Sequence, residues 1–309
     1  PKDGYKLVTT KQSIDGGVGI PFRSLTPFLL VTFGVTWGIL GLYIAFPDGM
    51  TEVFGELTGQ HPLFFLCVYA PAIAAFILVG RHGGRKGLRG FFCRLGLWRC
   101  PPLWYVFLLV GVPLVFYLGA ALKGTVREEP FPFASLGALA AALASAAIKG
   151  PVEEFGWRGF ALPLLQRRFA PVWAGLIIGV VWGFWHTPAF LLSGTQQSAW
   201  SFPPFFFGCI AISMIATALF NASRGSILLA AVFHFQLGNP VWPDAQPYDT
   251  YILVVFAVAL LWIYRKSMFS SVGSSTEIIP ASGSNDNSTR LTASRDNDLR
   301  TRESRGDCK

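Results

Sequence analysis

Eight runs of mostly apolar residues dominate the chain: 26–46, 62–80, 103–121, 133–165, 172–192, 203–220, 226–242 and 250–264. A helix rising about 1.5 Å per residue needs about 20 apolar residues to cross a hydrocarbon core of roughly 30 Å. In that medium every backbone N–H and C=O must be paired within the protein, which leaves helices for runs of this length. Composition agrees, with 52% hydrophobic residues, 28 Phe and only 14% charged residues, against about 25% charged in a soluble domain. The chain therefore reads as all-α, a polytopic integral membrane protein with about eight transmembrane helices. The fourth run is longer than a bilayer requires and carries Gly150-Pro151 in its middle. It is tilted, kinked or divided in two.

Charge sets an expected orientation. The segment 81–102 carries Arg81, Arg85, Lys86, Arg89, Arg94 and Arg99. With eight spans, Arg23, Arg167, Arg168, Arg224, Arg265 and Lys266 fall at the same end. The opposite loops carry Lys123 and Arg127, and the 47–61 loop is acidic through Asp48, Glu52 and Glu56. Basic residues of short loops stay cytoplasmic, so both termini of this multi-pass chain are expected in the cytoplasm. The net charge of +8 is then a bias toward anionic lipid headgroups. The bilayer is the expected partner, and nucleic acid is not. Residues 1–20 are expected to be a flexible cytoplasmic N-terminus, 21–268 an eight-helix membrane domain, and 269–309, rich in Ser, Asn, Asp and Arg, a disordered cytoplasmic tail. Cys67, Cys93, Cys100, Cys209 and Cys308 are odd in number and lack metal-ligand spacing, so no disulfide framework is implied.

Within this apolar chain, Glu153 and Glu154 are adjacent acids inside a span. A carboxylate at bilayer depth costs about 2.5–3.5 kcal/mol on insertion scales, so a pair with an arginine one turn on points to a working site. On a helix, Glu154 and Arg158 are four apart and share a face, as an ion pair requires. Glu153 projects about 100° away and is left as the candidate general base. His186 and His234 also lie in apolar runs. Measured from the ends near 168, 172 and 222, Glu153, His186 and His234 lie about 22, 21 and 18 Å deep at about 1.5 Å per residue. Three polar positions at one depth can converge on a single cavity. Such a set can activate water and stabilise an oxyanion, or form a two-His, one-carboxylate metal site holding zinc. No His-Glu-x-x-His segment is present, which excludes a thermolysin-like arrangement.

Glu153-Glu154-x-x-x-Arg158, the aromatic-x-x-x-His from Trp182 to His186, and His234 followed by Asn239 together resemble the CPBP family of intramembrane proteases. That family includes CAAX prenyl proteases and bacteriocin-processing or immunity (Abi-like) homologues. The resemblance covers about 133–242. It implies an eight-helix intramembrane endopeptidase, a glutamate-type or metal-dependent hydrolase, acting on a membrane-embedded or lipidated peptide near the cytoplasmic membrane face. Glu153 and His186 would activate water, His234 and an Asn partner would hold the oxyanion, and Glu154 with Arg158 would order the site. The sequence leaves the cofactor open between none and zinc on Glu153, His186 and His234. Two positions depart from the pattern. Trp182 stands where the family has Phe, a like-for-like aromatic. The Asn expected four residues after His234 is Gly238, with Asn239 fifth. Gly238 and Pro240 are expected to end the helix near Leu237–Gly238 and fold Asn239 back beside His234, with Gln236 as the other candidate donor. A non-catalytic immunity or scaffold protein of the same fold, or a proton-coupled transporter, are the alternative functions.

Overall fold

The computed structural model describes residues 19–126 and 133–280. Among these the chain is helical throughout its ordered elements and has no strand. The helices are α1 (Phe22–Ala45), the short α2 (Pro47–Phe54), α3 (Pro62–Gly96), α4 (Pro102–Lys123), α5 (Leu136–Gln166), α6 (Pro171–Leu191), α7 (Phe202–Ala222), α8 (Ile227–Leu237), α9 (Tyr248–Ile263) and α10 (Arg265–Met268). Six of them, α1 and α3 to α7, are long and apolar enough to cross a membrane, and α8 and α9 are shorter apolar helices. The protein is an all-α, multi-pass membrane protein.

The long fourth run is one helix. Pro151 lies inside α5 without dividing it, and the local departure from α geometry is a π turn at Trp157–Ala161. The seventh run forms helix only over Ile227–Leu237, stopped at Gly238. The second continues far past residue 80, bending at Gly84 (φ 56°, ψ −154°). Residues 1–18 and 281–309, where the flexible N-terminus and most of the tail were expected, lie outside the described residues. Residues 269–280 depart from the reading as tail. Gln166 Nε2 donates to Ser275 O at 2.8 Å, Arg167 Nε to Thr276 O at 3.1 Å, and Ile278 is 1% exposed. A Ser-rich composition hid one Ile-Ile pair that buries itself.

Prolines inside the spans leave carbonyls unpaired, and neighbouring helices satisfy them. Pro71 cannot donate to Cys67 O, and the Thr36 hydroxyl of α1 does so at 2.9 Å. Pro163 frees Gly159 O, which accepts from Arg94 Nη1 at 2.7 Å. Pro113 follows the π turn Phe107–Gly111, and the Gln236 amide donates to Leu108 O, five residues before that proline, at 2.9 Å. Each buried orphan carbonyl would cost about 1–3 kcal/mol. These bonds let α3, α4 and α5 keep their prolines and cross-link the bundle.

Small residues set the closest packing. A Cβ on Gly175, Gly179 or Gly183 of α6 would meet Thr217 Oγ1 at 2.8 Å, Ile210 Cα at 2.7 Å or Phe206 Cδ2 at 2.7 Å of α7. This four-residue glycine spacing brings α6 and α7 into backbone contact. Successive spans alternate in direction, so one end gathers the basic residues. There Arg94 Nε donates to Gly225 O at 3.0 Å, and Arg167 Nη1 bonds Ile20 O. At the other end Lys123 pairs with Asp244 at 2.5 Å.

Candidate active site

The candidate residues come from α5, α6 and α8, and a four-residue spacing on α5 places Arg158 against Glu154. Arg158 Nη1 lies 2.9 Å from Glu154 Oε1, with both side chains almost wholly buried. The expected pair forms, and it has a third member. His234 Nδ1 lies 2.7 Å from the same Oε1. A carboxylate oxygen only accepts, so the imidazole donates through Nδ1. Its Nε2 is then an acceptor in the neutral ring and a donor in the imidazolium. Gly150 makes this approach possible, because a Cβ there would sit 2.7 Å from His234 Cδ2 and 2.9 Å from Nε2.

Glu153 is 5% exposed and belongs to a different set of contacts. Its Oε2 accepts from Trp182 Nε1 at 2.8 Å, and Oε1 has no hydrogen bond among the described residues. Phe at position 182 could not make this bond. The substitution read from sequence as like-for-like therefore changes the site: this aromatic carries a donor onto the carboxylate. Trp182 also lies under the Arg158 guanidinium at 5.3 Å and makes T-shaped contacts with the rings of His186 and His234, at centroid separations of 5.3 and 5.5 Å. It is the residue that joins the three motifs.

His186 caps the α-helical part of α6, just before the 3-10 turn Thr187–Leu191. Its Nδ1 bonds Trp182 O at 2.8 Å, so Nδ1 carries the hydrogen and the neutral ring offers a lone pair at Nε2. Asn239 lies just past α8, as the Gly238 stop requires. Its Oδ1 accepts from Val241 N at 3.1 Å, and its Nδ2 donates one hydrogen to Gln236 Oε1 at 3.1 Å. Gln236 donates one of its two amide hydrogens to Leu108 O. Asn239 lines the cavity described next, and Gln236 does not.

Glu153, His186, His234 and Asn239 all line one cavity of about 800 Å³. It is bounded also by the exposed loop residues Gln60, Gln196 and Asp244, and it opens at the end of the bundle opposite the basic residues. Two expectations collide here. If the basic end is cytoplasmic, the mouth does not face the cytoplasm, and cleavage near the cytoplasmic face does not follow. The physical reason was present in the depths of about 18–22 Å measured from the basic ends, which pass the middle of a core roughly 30 Å thick.

The same donor set bears on the metal alternative. Among the described residues no three His, Cys, Asp or Glu groups are placed to hold a metal ion. The bonds at Glu153 Oε2, His186 Nδ1 and His234 Nδ1 leave Glu153 Oε1 and both Nε2 atoms free among the described residues, and a ring N–H held by a carbonyl or carboxylate is the usual outer arrangement of a metal-bound histidine. Glu153 Oε1, His186 Nε2 and His234 Nε2 are donor atoms of the kind a two-His, one-carboxylate zinc site uses, and the described residues do not gather them around one point.

Comparison with known proteins bears on the same region. Residues 135–238 match the type II CAAX prenyl endopeptidase Rce1-like family. The chain is also similar to CAAX prenyl protease 2 of Methanococcus maripaludis, 26% identical over 269 residues that cover 80% of this chain and 96% of the relative.

Proposed function

We infer from a chain that carries a CAAX prenyl endopeptidase domain over residues 135–238 that it is an intramembrane protease whose Glu153 activates water inside the bundle. The observation that carries this reading is a buried carboxylate with one oxygen held by Trp182 and the other open to a cavity shared with two histidines and an asparagine. Water held against Glu153 Oε1 would lose its proton to that oxygen as it attacks the peptide carbonyl. His186, with Nδ1 fixed on Trp182 O, presents Nε2 to the same space and can hold that water or take up its proton.

The carbonyl oxygen becomes an oxyanion as the new bond forms and needs donors aimed at it. The imidazolium form of His234, held by Glu154 through Nδ1, offers Nε2–H, and Asn239 Nδ2 retains a second hydrogen. Arg158 balances the charge of Glu154, the carboxylate that orients His234. As the tetrahedral intermediate collapses the C–N bond breaks and the proton held by Glu153 passes to the leaving nitrogen, giving a new carboxylate and a free amine.

The substrate class is a membrane-associated peptide entering from the end that bears loops 55–61, 192–201 and 238–247. By the positive-inside rule the other end is cytoplasmic, which favours a peptide presented at the non-cytoplasmic face over a tail prenylated in the cytoplasm. The test is reconstitution in vesicles with a peptide library and mass analysis. Fragments whose masses sum to the substrate plus one water, formed by the wild type and lost in Glu153→Gln, support hydrolysis. Glu153-dependent accumulation of intact peptide in the lumen would instead mean transport.

A further inference from the structure

Arg94 lies in the last turn of α3, at the basic end of the bundle, and does not line the cavity. Its side chain is buried, and its fork of donors reaches two separate helices. Nη1 donates to Gly159 O at 2.7 Å and Nε to Gly225 O at 3.0 Å. Gly159 follows Arg158 in the π turn of α5. Gly225 precedes Ser226, whose hydroxyl accepts from Leu229 N at 3.0 Å and so caps the start of α8. The turn that presents Gly225 O has an uncommon shape, with Arg224 (φ 57°) and Gly225 (φ 88°) both in the left-handed region. One guanidinium thus ties the helix of Glu153, Glu154 and Arg158 to the helix of His234. These are the two helices that meet again at Glu154 Oε1.

The same Nη1 faces a third carbonyl, Ile278 O, at 3.4 Å. Three further side chains hold the backbone of that segment. Asn221 Oδ1 accepts from Ser275 N at 2.9 Å, Gln166 Nε2 donates to Ser275 O at 2.8 Å, and Arg167 Nε donates to Thr276 O at 3.1 Å. Ile278 is buried, and Ile279 rests where a Cβ on Gly87 or Gly90 of α3 would meet it at 3.1 or 3.0 Å. Main-chain bonds with one or two seated side chains are how a groove holds a peptide. The groove here is built from α3, α5 and α7, and its floor is the arginine that joins α5 to α8.

Resting on the hydrolase reading above, we propose that Arg94 is a positioning residue for the catalytic centre and that docking of the C-terminal segment 275–280 sets it, so that a contact at the basic end controls turnover in a cavity that opens at the other. With the segment seated, Ile278 O and the Phe91 and Phe220 rings, at 5.8 and 5.1 Å, hold the guanidinium against both carbonyls. With the segment released, water reaches the arginine and competes for Gly159 O and Gly225 O, and the α8 start loses its tie to α5. His234 lies about 10 Å along α8 from Ile227, so a small swing of that start moves the imidazole away from where the oxyanion forms.

The experiment uses the full-length wild type, Ile278→Lys and Arg94→Lys, one cleaved peptide, and a synthetic peptide of residues 270–280. Ile278→Lys sets a cation beside Arg94 and empties the groove. Its kcat should fall about ten- to a hundred-fold with KM unchanged, the effect of a small misplacement arising far from the chemistry. Added peptide should restore that kcat. Arg94→Lys keeps the charge but loses the fork, so its kcat should fall and the peptide should not restore it. Hydrogen exchange, which needs no substrate, should quicken at 157–166 and 226–237 in Ile278→Lys and slow again with the peptide. No cleavage by the wild type overturns the hydrolase reading, and the exchange data then judge the coupling separately. Two results overturn the proposal itself. One is an Ile278→Lys protein with quickened exchange confined to 270–280 and wild-type kcat, as a plug without influence on the site would give. The other is a peptide that protects the groove from exchange and leaves kcat depressed.

Discussion

Trp182 donates its indole N–H to Glu153 Oε2 at 2.8 Å while its ring lies under the Arg158 guanidinium. One aromatic side chain thus holds the carboxylate proposed as base and packs against the arginine that balances the neighbouring acid. Trp182→Phe keeps the ring and deletes the donor. A hydrogen bond to a charged group is worth about 1.5–3 kcal/mol, so kcat should fall about ten- to a hundred-fold with little change in KM. Steady-state kinetics on a cleaved peptide check this. Normal kcat in the Phe variant would reduce Trp182 to a packing residue.

Glu154, Arg158 and His234 share one oxygen. Removing Arg158 leaves a buried carboxylate without its counter-charge, at a cost of roughly 3–5 kcal/mol. Arg158→Leu should therefore lower the unfolding midpoint, and adding Glu154→Gln should recover part of the loss. Activity should not recover with it, because His234 then lacks the carboxylate that orients it. Additive stability losses in the double variant would show that the pair is not coupled.

Asn239 and Gln236 are separated by the cavity. Each keeps one amide hydrogen, but Asn239 lines the cavity, whereas Gln236 bonds Leu108 O behind Pro113 and does not. Asn239→Ala should cost about a hundred- to a thousand-fold in kcat, the range for one oxyanion donor. Gln236→Ala should act mainly on stability. A crippled Gln236→Ala enzyme with unaffected thermal stability, beside an active Asn239→Ala, reverses the assignment.

Ile278 is buried, its carbonyl accepts from Arg94, and those of Ser275 and Thr276 accept from Gln166 and Arg167. Burying one isoleucine side chain is worth about 1.5–3 kcal/mol. A chain ending at Phe269 should be less stable by at least that amount, while one ending at Pro280 should match the full-length protein in thermal unfolding. Equal stability of all three would mean that this segment contributes nothing.

The spans and the polar centre were legible because charge in an apolar run is rare enough to stand out. Glu153, Glu154, Arg158, His186 and His234 could be picked out one by one, and the Gly238–Pro240 pattern placed the end of α8 within a residue. The role of Trp182 was not legible, since among ten tryptophans nothing in the sequence marks the one whose indole reaches a carboxylate. The same holds for Thr36, Arg94 and Gln236. Each of these supplies the hydrogen a distant proline lacks, and that relation exists only after helices pack. Sharing of Glu154 by His234 depends on Gly150 allowing two helices to touch, a contact 84 residues apart in the chain (234 − 150). The side on which the cavity opens was implied by the depths but obscured by treating the basic end and the working face as one.

That side can be read by labelling single cysteines in sealed vesicles. Cysteines at Arg89 and Arg168 should react only from the cytoplasm, and one at Asp244, beside the mouth, only from the opposite face. Labelling of Asp244→Cys from the cytoplasm would turn the molecule over and make a cytoplasmically prenylated tail the favoured substrate.

The central claim is that Glu153 carries the hydrolysis, and its most direct test is turnover of one cleaved peptide by purified wild type and Glu153→Gln. Glutamine keeps the shape and can still accept from Trp182, but it cannot take a proton from water. The expected result is a variant with the wild-type melting midpoint and turnover reduced by roughly 10²–10⁴, the contribution of a general base. A folded Glu153→Gln protein that cleaves within about tenfold of the wild type would contradict it.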